Sequence, residues 1–151
     1  MSPQTISTEF WEAQLPDGWF QVQRDPNEVV YFESSDRTAG VYLSTWRVSG
    51  QSLLAAMRDA RVIEKRNLPP TEHGRWEVLR SEELDNGADV EAAAEYLNRT
   101  DRYRIASRLL GCNDYFVRLT YHDYDCVNPT DSAEGSKCVL TSLRLRGGRA
   151  H

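Results

Sequence analysis

Two short alternating segments flank Leu15-Pro16-Asp17-Gly18-Trp19, and that junction constrains the start of the chain to paired, extended structure. Trp11, Ala13 and Leu15 share one side of the first segment. Pro-Asp-Gly then supplies turn chemistry, because proline presets φ and glycine accepts a positive one, before Trp19 to Arg24 resumes an extended pattern. A hairpin is expected. A turn at Asp25-Pro26-Asn27 leads to Val29-Val30-Tyr31-Phe32, and Ser35 to Ala39 separates that strand from Gly40 to Val48, making four strands in the first third.

Helical spacing replaces alternation after Ser49, a candidate N-cap. Leu53, Ala56, Met57, Ala60 and Ile63 recur on one face until Pro69-Pro70 stops the segment, so a core-packed helix is expected over residues 50 to 67. From Trp76 to Asp123 strand patterning returns, punctuated by Asn86-Gly87, by Asn98 to Asp101 and by Gly111 to Asp114. Asn-Gly is a two-residue hairpin signal, since a type I′ turn takes positive φ at both central residues. A four-stranded meander follows. One face reads Val90, Ala92, Ala94, Tyr96, then Ile105, Ser107, Leu109, then Tyr115, Val117, Leu119, Tyr121. The other reads Glu91, Glu95, Arg99, then Arg104, Arg108, then Arg118, Thr120, His122. That alternation predicts a sheet covered on one face here, with Glu/Arg pairs tiling the other. Asp131-x-x-Glu134 suits the start of a closing helix, although Gly135 weakens its first turn and Val139 to Leu145 also fits a partial strand.

The expected fold class is therefore α+β: a mostly antiparallel sheet of about seven or eight strands with one central and one C-terminal helix. With 151 residues and 40% hydrophobic content, one domain over residues 10 to 146 can bury a core without metal or disulfide staples. Residues 1–9 are expected to form a flexible N-terminus and 147–151 a frayed tail.

The net charge of −5 lacks the basic footprint of nucleic-acid binding and offers no polybasic membrane anchor. The first residues carry neither a cationic segment nor an apolar run, so a cytoplasmic protein is expected. Cys112, Cys126 and Cys138 are an odd set, which favours a reduced compartment; spacing alone leaves a Cys126 to Cys138 bridge open.

No catalytic signature emerges. Tyr121-His122-Asp123-Tyr124-Asp125-Cys126 alternates, so its candidate ligands diverge, and no metal or cofactor is expected. Cys112 and Cys126 read as structural thiols. The serines form no Gly-x-Ser-x-Gly elbow and no glycine-rich phosphate loop appears. Charge is unevenly spread. Glu82, Glu83, Asp85, Asp89, Glu91, Glu95 and Asp101 face only Arg99 within residues 82 to 101, a net of −6, whereas residues 135 to 151 carry a net of +4.

The order strand, Leu15-Pro16-Asp17-Gly18-Trp19, paired strands, amphipathic helix, long meander, and a last helix closing on Leu140-Thr141-Ser142-Leu143-Arg144-Leu145 resembles the PsbP/Mog1-like group over about residues 10 to 145. It looks especially like small bacterial members associated with secretion systems. The resemblance implies a non-enzymatic protein binder: an immunity protein that neutralises a cognate toxin, or an effector chaperone or adaptor. The shared motifs are structural and carry no catalytic residue. The group often covers both sheet faces, so the charged outer face expected here is a departure and a candidate docking surface. A small hydrolase and a metabolite carrier are the remaining alternatives. The partner-binding residues expected are Glu82, Glu83, Asp85, Asp89, Glu91, Glu95, Phe116, His122 and Tyr124, with Tyr96 and Tyr103 beside them as aromatic anchors.

Overall fold

A computed structural model describes residues 3–24, 29–71 and 73–146. Among the described residues, ten strands form two antiparallel sheets. The larger holds β3 (Phe20–Arg24), β4 (Val29–Glu33), β5 (Ala39–Arg47), β6 (Glu77–Asp85), β7 (Asp89–Asn98), β8 (Tyr103–Cys112) and β9 (Tyr115–Asp123), in the order β3-β4-β5-β9-β8-β7-β6. The smaller sets β2 (Trp11–Leu15) between β1 (Gln4–Ser7) and β10 (Arg144–Leu145).

The N-terminal expectation needs two corrections. Gln4–Ser7 is no loose end, because it pairs with β2 and sends Ile6 into the core. Nor do β2 and β3 form a hairpin: Pro16-Asp17-Gly18, with Gly18 at φ 89°, carries the chain from one sheet to the other. Turn chemistry specifies a change of direction, not the identity of the next partner. The tail at 147–151 lies outside the described residues.

Helix α1 (Leu53–Arg66) starts one turn later than Ser49 suggests. Ser52 caps it, its side chain accepting from the Ala55 N–H at 3.1 Å. Ala56, Met57 and Ala60 are buried against Val90, Ala92, Leu109 and Phe116. Ile63 leaves that stripe at 49% exposure, and Glu64 takes the inward position instead. Its carboxylate accepts from Tyr96 Oη at 2.7 Å and Ser107 Oγ at 2.6 Å and pairs with Arg118 Nε at 3.3 Å, so a polar bolt closes the helix onto the sheet. Helix α2 (Pro129–Ser142), by contrast, starts before its expected site. Asn128 accepts from the N–H groups of Thr130 and Asp131, and Pro129 in the first turn gives up no needed donor. Beyond Ser142 the chain extends into β10, the strand alternative for part of Val139 to Leu145.

In the β7–β9 part of the large sheet both faces are covered, contrary to the one-sided expectation. Asn113 and Asp114 connect β8 to β9 and pair Cys112 with Tyr115, so odd-numbered residues of β8 lie beside even-numbered residues of β9. Phe116, Arg118, Thr120 and His122 consequently share the α1 face with Gly111, Leu109, Ser107 and Ile105. Tyr115, Val117, Leu119 and Tyr121 face the other way, where α2, through Val139 and Leu143, and the small sheet close over Val41 and Leu43. Arg104, expected on a solvated face, is 1% exposed on this second side. Its Nη1 donates to Ser136 Oγ at 3.0 Å and its Nη2 lies 3.3 Å from Glu95. Apolar residues occupy both phases of β9, so alternation alone does not choose its register.

Candidate functional site

The side chains expected at a partner surface separate into three places. Phe116 is in the core: it is fully buried beneath α1, its ring stacked 5.6 Å from Trp46. Gly111 makes this possible, since a Cβ there would lie 2.2 Å from the Phe116 ring. Tyr96 is likewise buried, tied to Glu64.

The acids of the β6–β7 hairpin form the second group. The hairpin turns with Gly87 at φ 84° while Asn86 keeps negative φ and donates its N–H to the Asp89 carbonyl at 2.9 Å, so the type I′ geometry is not adopted. Asp85 accepts the Gly87 N–H at 2.8 Å. β6 is exposed along its whole length at the sheet edge. The glutamates of the hairpin are nevertheless matched from within. Glu82 meets Arg80 at 2.7 Å, and Glu83 meets Arg61 at 2.5 Å and Arg58 at 3.4 Å. Glu91 meets Arg108 at 2.8 Å and Glu95 meets Arg104 at 3.3 Å. The Arg80 hydrogen bond holds the Glu82 carboxyl below its usual range. Desolvation pushes Glu83 up, but its two arginines outweigh that and hold it low as well. Asp89 begins β7 opposite Cys112.

His122 and Tyr124 belong to a third, aromatic group that the linear sequence does not assemble. Pairing of β5 with β9 and of β9 with β8 brings Tyr42, His122 and Tyr103 together on the α1 face, and Tyr31 joins from β4. Tyr31 lies over Gly40, where a Cβ would sit 2.4 Å from its hydroxyl. The ring centroids of Tyr31 and Tyr42 are 4.3 Å apart, those of Tyr42 and His122 5.0 Å, and those of Tyr103 and Tyr124 5.4 Å. Four of the five polar tips satisfy one another: Tyr31 and Tyr124 hydroxyls lie 2.9 Å apart, and Tyr103 Oη is 2.7 Å from His122 Nδ1. Desolvation lowers the imidazole pKa to about 4 and raises those of Tyr31, Tyr103 and Tyr124 above the ordinary phenol value. Burial thus favours the neutral forms of His122, Tyr31, Tyr103 and Tyr124.

Coverage decides which group is available. α1 packs mainly on β7 and β8 and reaches β5 at Trp46, while Tyr31 and Tyr42 are not among the residues packed against it. Tyr42 is 36% exposed and Phe20 40%, with Tyr31, Tyr103, His122 and Tyr124 half-buried. A cleft of about 620 Å³ between α1 and β5, lined in part by Trp46, Asp59 and Ile63, borders the bare region. Tyr31 and Tyr42 were legible as tyrosines in the opposite phase from the core residues Val30, Phe32, Val41 and Leu43, a signal that the sequence reading passed over.

Cys112, Cys126 and Cys138 are thiols rather than disulfide partners, and burial pushes the Cys126 thiol pKa up. Among the described residues no three His, Cys, Asp or Glu side chains converge as a metal site, and no helix is long and apolar enough to cross a membrane.

No protein-family model and no curated protein matches this chain. Among solved structures it is similar to the solution structure of cyanobacterial PsbP (CyanoP) from Synechocystis sp. PCC 6803, with a TM-score of 0.71 and 16% identity over 95% of this chain and 92% of that one. It is also similar to the Saccharomyces cerevisiae Ran-binding protein Mog1p, with a TM-score of 0.54 and 10% identity over 97% and 96% of the two chains. A Bacteroides thetaiotaomicron VPI-5482 structure matches with a TM-score of 0.52 and 14% identity, over 93% of this chain and 47% of that one. At these identities the likeness establishes the fold, which is α+β and PsbP/Mog1-like.

Proposed function

We propose that this chain is a non-enzymatic protein-binding module that docks its partner on the bare aromatic half of the α1 face. The carrying observation is the part of that face beyond α1, where Tyr42 stacks on Tyr31 and remains open to contact. Such groups offer rigid contact area with little side-chain entropy left to lose, as binding hot spots do. The PsbP/Mog1-like fold is compatible with this use, since one structural neighbour is described as Ran-binding. Within the class, the reading we favour is an immunity protein that occludes a cognate toxin in a reducing cytoplasm; an effector chaperone or adaptor is the alternative.

The acidic hairpin, with Glu82, Glu83, Asp85, Asp89, Glu91 and Glu95, is the second candidate surface. Its support is the fully exposed β6 edge, where Val78 and Leu84 are also open. Its internal arginine partners make it the weaker candidate for steering a basic protein.

The test starts from the protein that co-purifies in the native host. With that partner purified, replacing Tyr31 and Tyr42 together by alanine is expected to weaken binding by about 10-fold or more, in the range of hot-spot truncations. Unchanged affinity in a folded double variant overturns this surface. An immunity role further requires the partner's toxic activity to fall to zero at equimolar complex; a partner that merely stays soluble in the complex assigns the chaperone role instead.

A further inference from the structure

We propose that the groove between α1 and the free edge of β6 takes an extended, acidic segment of a second protein, which adds a strand beside β6 and sets its carboxylates against the cations of α1. The groove lies across α1 from the aromatic cluster, toward the opposite edge of the sheet, so it is a separate surface from the one proposed above.

The first support is the backbone. β6 ends the large sheet and is exposed throughout, and no described strand pairs with its outer side. Asn86 donates its N–H to the Asp89 carbonyl, and antiparallel alternation from that pair turns the N–H and C=O groups of Asp85, Glu83 and Ser81 away from β7. No register shift interrupts these positions; the irregularity between Val78 and Arg80 closes one end of the run and the hairpin turn the other. An open edge of this kind is a template for one more strand.

The second support is the charge along that edge. Ser81 and Glu83 pair with Ala94 and Ala92, and so lie on the α1 face. Beside them a groove of about 280 Å³ is lined by Arg58, Arg61 and Lys65, with Glu83 as its one carboxylate. Arg61 meets Glu83 at 2.5 Å and also donates to Ser81 Oγ, whereas Arg58 stands 3.4 Å from the same carboxylate with its side chain 61% exposed. Lys65 is exposed and makes no ion pair among the described residues. One carboxylate does not neutralise three cations, so the groove keeps a net positive charge. Glu82 does not offset it, because it lies on the other face of the sheet, closed on Arg80. Arg58 and Lys65 are about 10 Å apart along the helix axis, a span that acids on alternate residues of a strand, about 7 Å apart, meet through their flexible side chains. Exposed Val62 and Val78 line the same groove and supply apolar contact. The arginines that match the hairpin acids thus reverse the sign of the charge a guest strand meets.

The probe is a synthetic eight-residue peptide of alternating glutamate and threonine, titrated into the isotopically labelled full chain and followed through its backbone amides. A lysine–threonine peptide and a glutamate–proline peptide are controls, the second keeping the charge but lacking N–H groups for a ladder. The glutamate–threonine peptide is expected to shift the amides of residues 81–85 and slow their exchange, and to bind about 3-fold or more tighter than the proline peptide, with the lysine peptide silent. Arg58→Gln combined with Lys65→Gln, both at exposed positions, is expected to weaken it by about 5-fold or more, whereas Tyr42→Leu leaves it within about 1.5-fold. Absence of shifts in residues 77–85, equal binding of the proline peptide, or undiminished binding by the folded double variant overturns the inference. An eight-nucleotide oligothymidine that binds as tightly as the glutamate–threonine peptide overturns it too, by making the groove a general polyanion patch. Each of these results leaves the aromatic docking surface standing, since that surface is tested with the co-purified partner.

Discussion

Within one face of the large sheet, the β7–β8 part and the β4–β5 part are built for different neighbours. Under α1 the sheet presents Val90, Ala92 and Leu109, and the helix answers with Ala56, Met57 and Ala60, small or flexible groups that let backbone approach backbone. Beyond the helix the face presents Tyr31 and Tyr42, larger groups whose hydroxyls tolerate water. Residue choice at equivalent face positions thus records whether a layer lies above. A bare face made of amphipathic rings can remain solvated when the protein is alone and still bury substantial area when something docks.

The largest effect is expected where the layer is present. Met57→Asp places an unpaired charge at a fully buried position under α1 and should cost several kcal/mol, about the whole stability of a domain this size. Thermal melting is the measurement; an unchanged transition would detach α1 from the core. By contrast Tyr42→Leu, on the bare part, should shift stability by less than about 1 kcal/mol while weakening partner binding.

A pH effect of intermediate size comes from His122. Burial lowers its pKa from 6.5 to about 4 in the folded chain, so between those values the unfolded chain binds the extra proton. Stability from this group is complete above about pH 6.5 and is lost as pH falls toward about 4, by roughly 3 kcal/mol over the whole window. Urea midpoints at about pH 7 and about pH 4.5 should therefore fall more steeply in the unaltered protein than in His122→Gln. Parallel losses would assign the titration to other groups.

The smallest effect belongs to the hairpin. Glu82→Lys breaks only an exposed contact with Arg80, whose partners have side-chain exposures of 49% and 60%, so stability should stay within about 0.5 kcal/mol. The encounter rate with a basic partner should also change little if docking occurs on the aromatic face. A strong, salt-sensitive drop in that rate would reverse the ranking of the two surfaces.

These contrasts also show how far the chain could be read before folding. Local patterns identified α1, the meander and most strand segments, because alternation and helical spacing are properties of neighbouring residues. Register was less legible: Tyr115 and Phe116 both begin plausible buried phases, and only the pairing of Cys112 with Tyr115 decides that Phe116 goes under α1. β1 was missed because a four-residue strand with one strongly apolar side chain, Ile6, shows little alternation. The site divided along the same line. His122 and Tyr124 were found in their own segment, but Tyr31 and Tyr42 reach them only through long-range strand pairing. Counting acids along residues 82 to 101 found a real run, yet could not see that Arg58 and Arg61 arrive from α1 and Arg104 and Arg108 from β8.

The most direct test of the aromatic docking surface is hydrogen exchange of the chain with and without its co-purified partner at saturation. The account predicts added protection in residues 29–33 and 39–47 and at the β8–β9 end bearing Tyr103 and Tyr124, with residues 77–85 exchanging as in the free chain. Protection confined to β6 and the β6–β7 turn, with β4 and β5 unchanged, would contradict it.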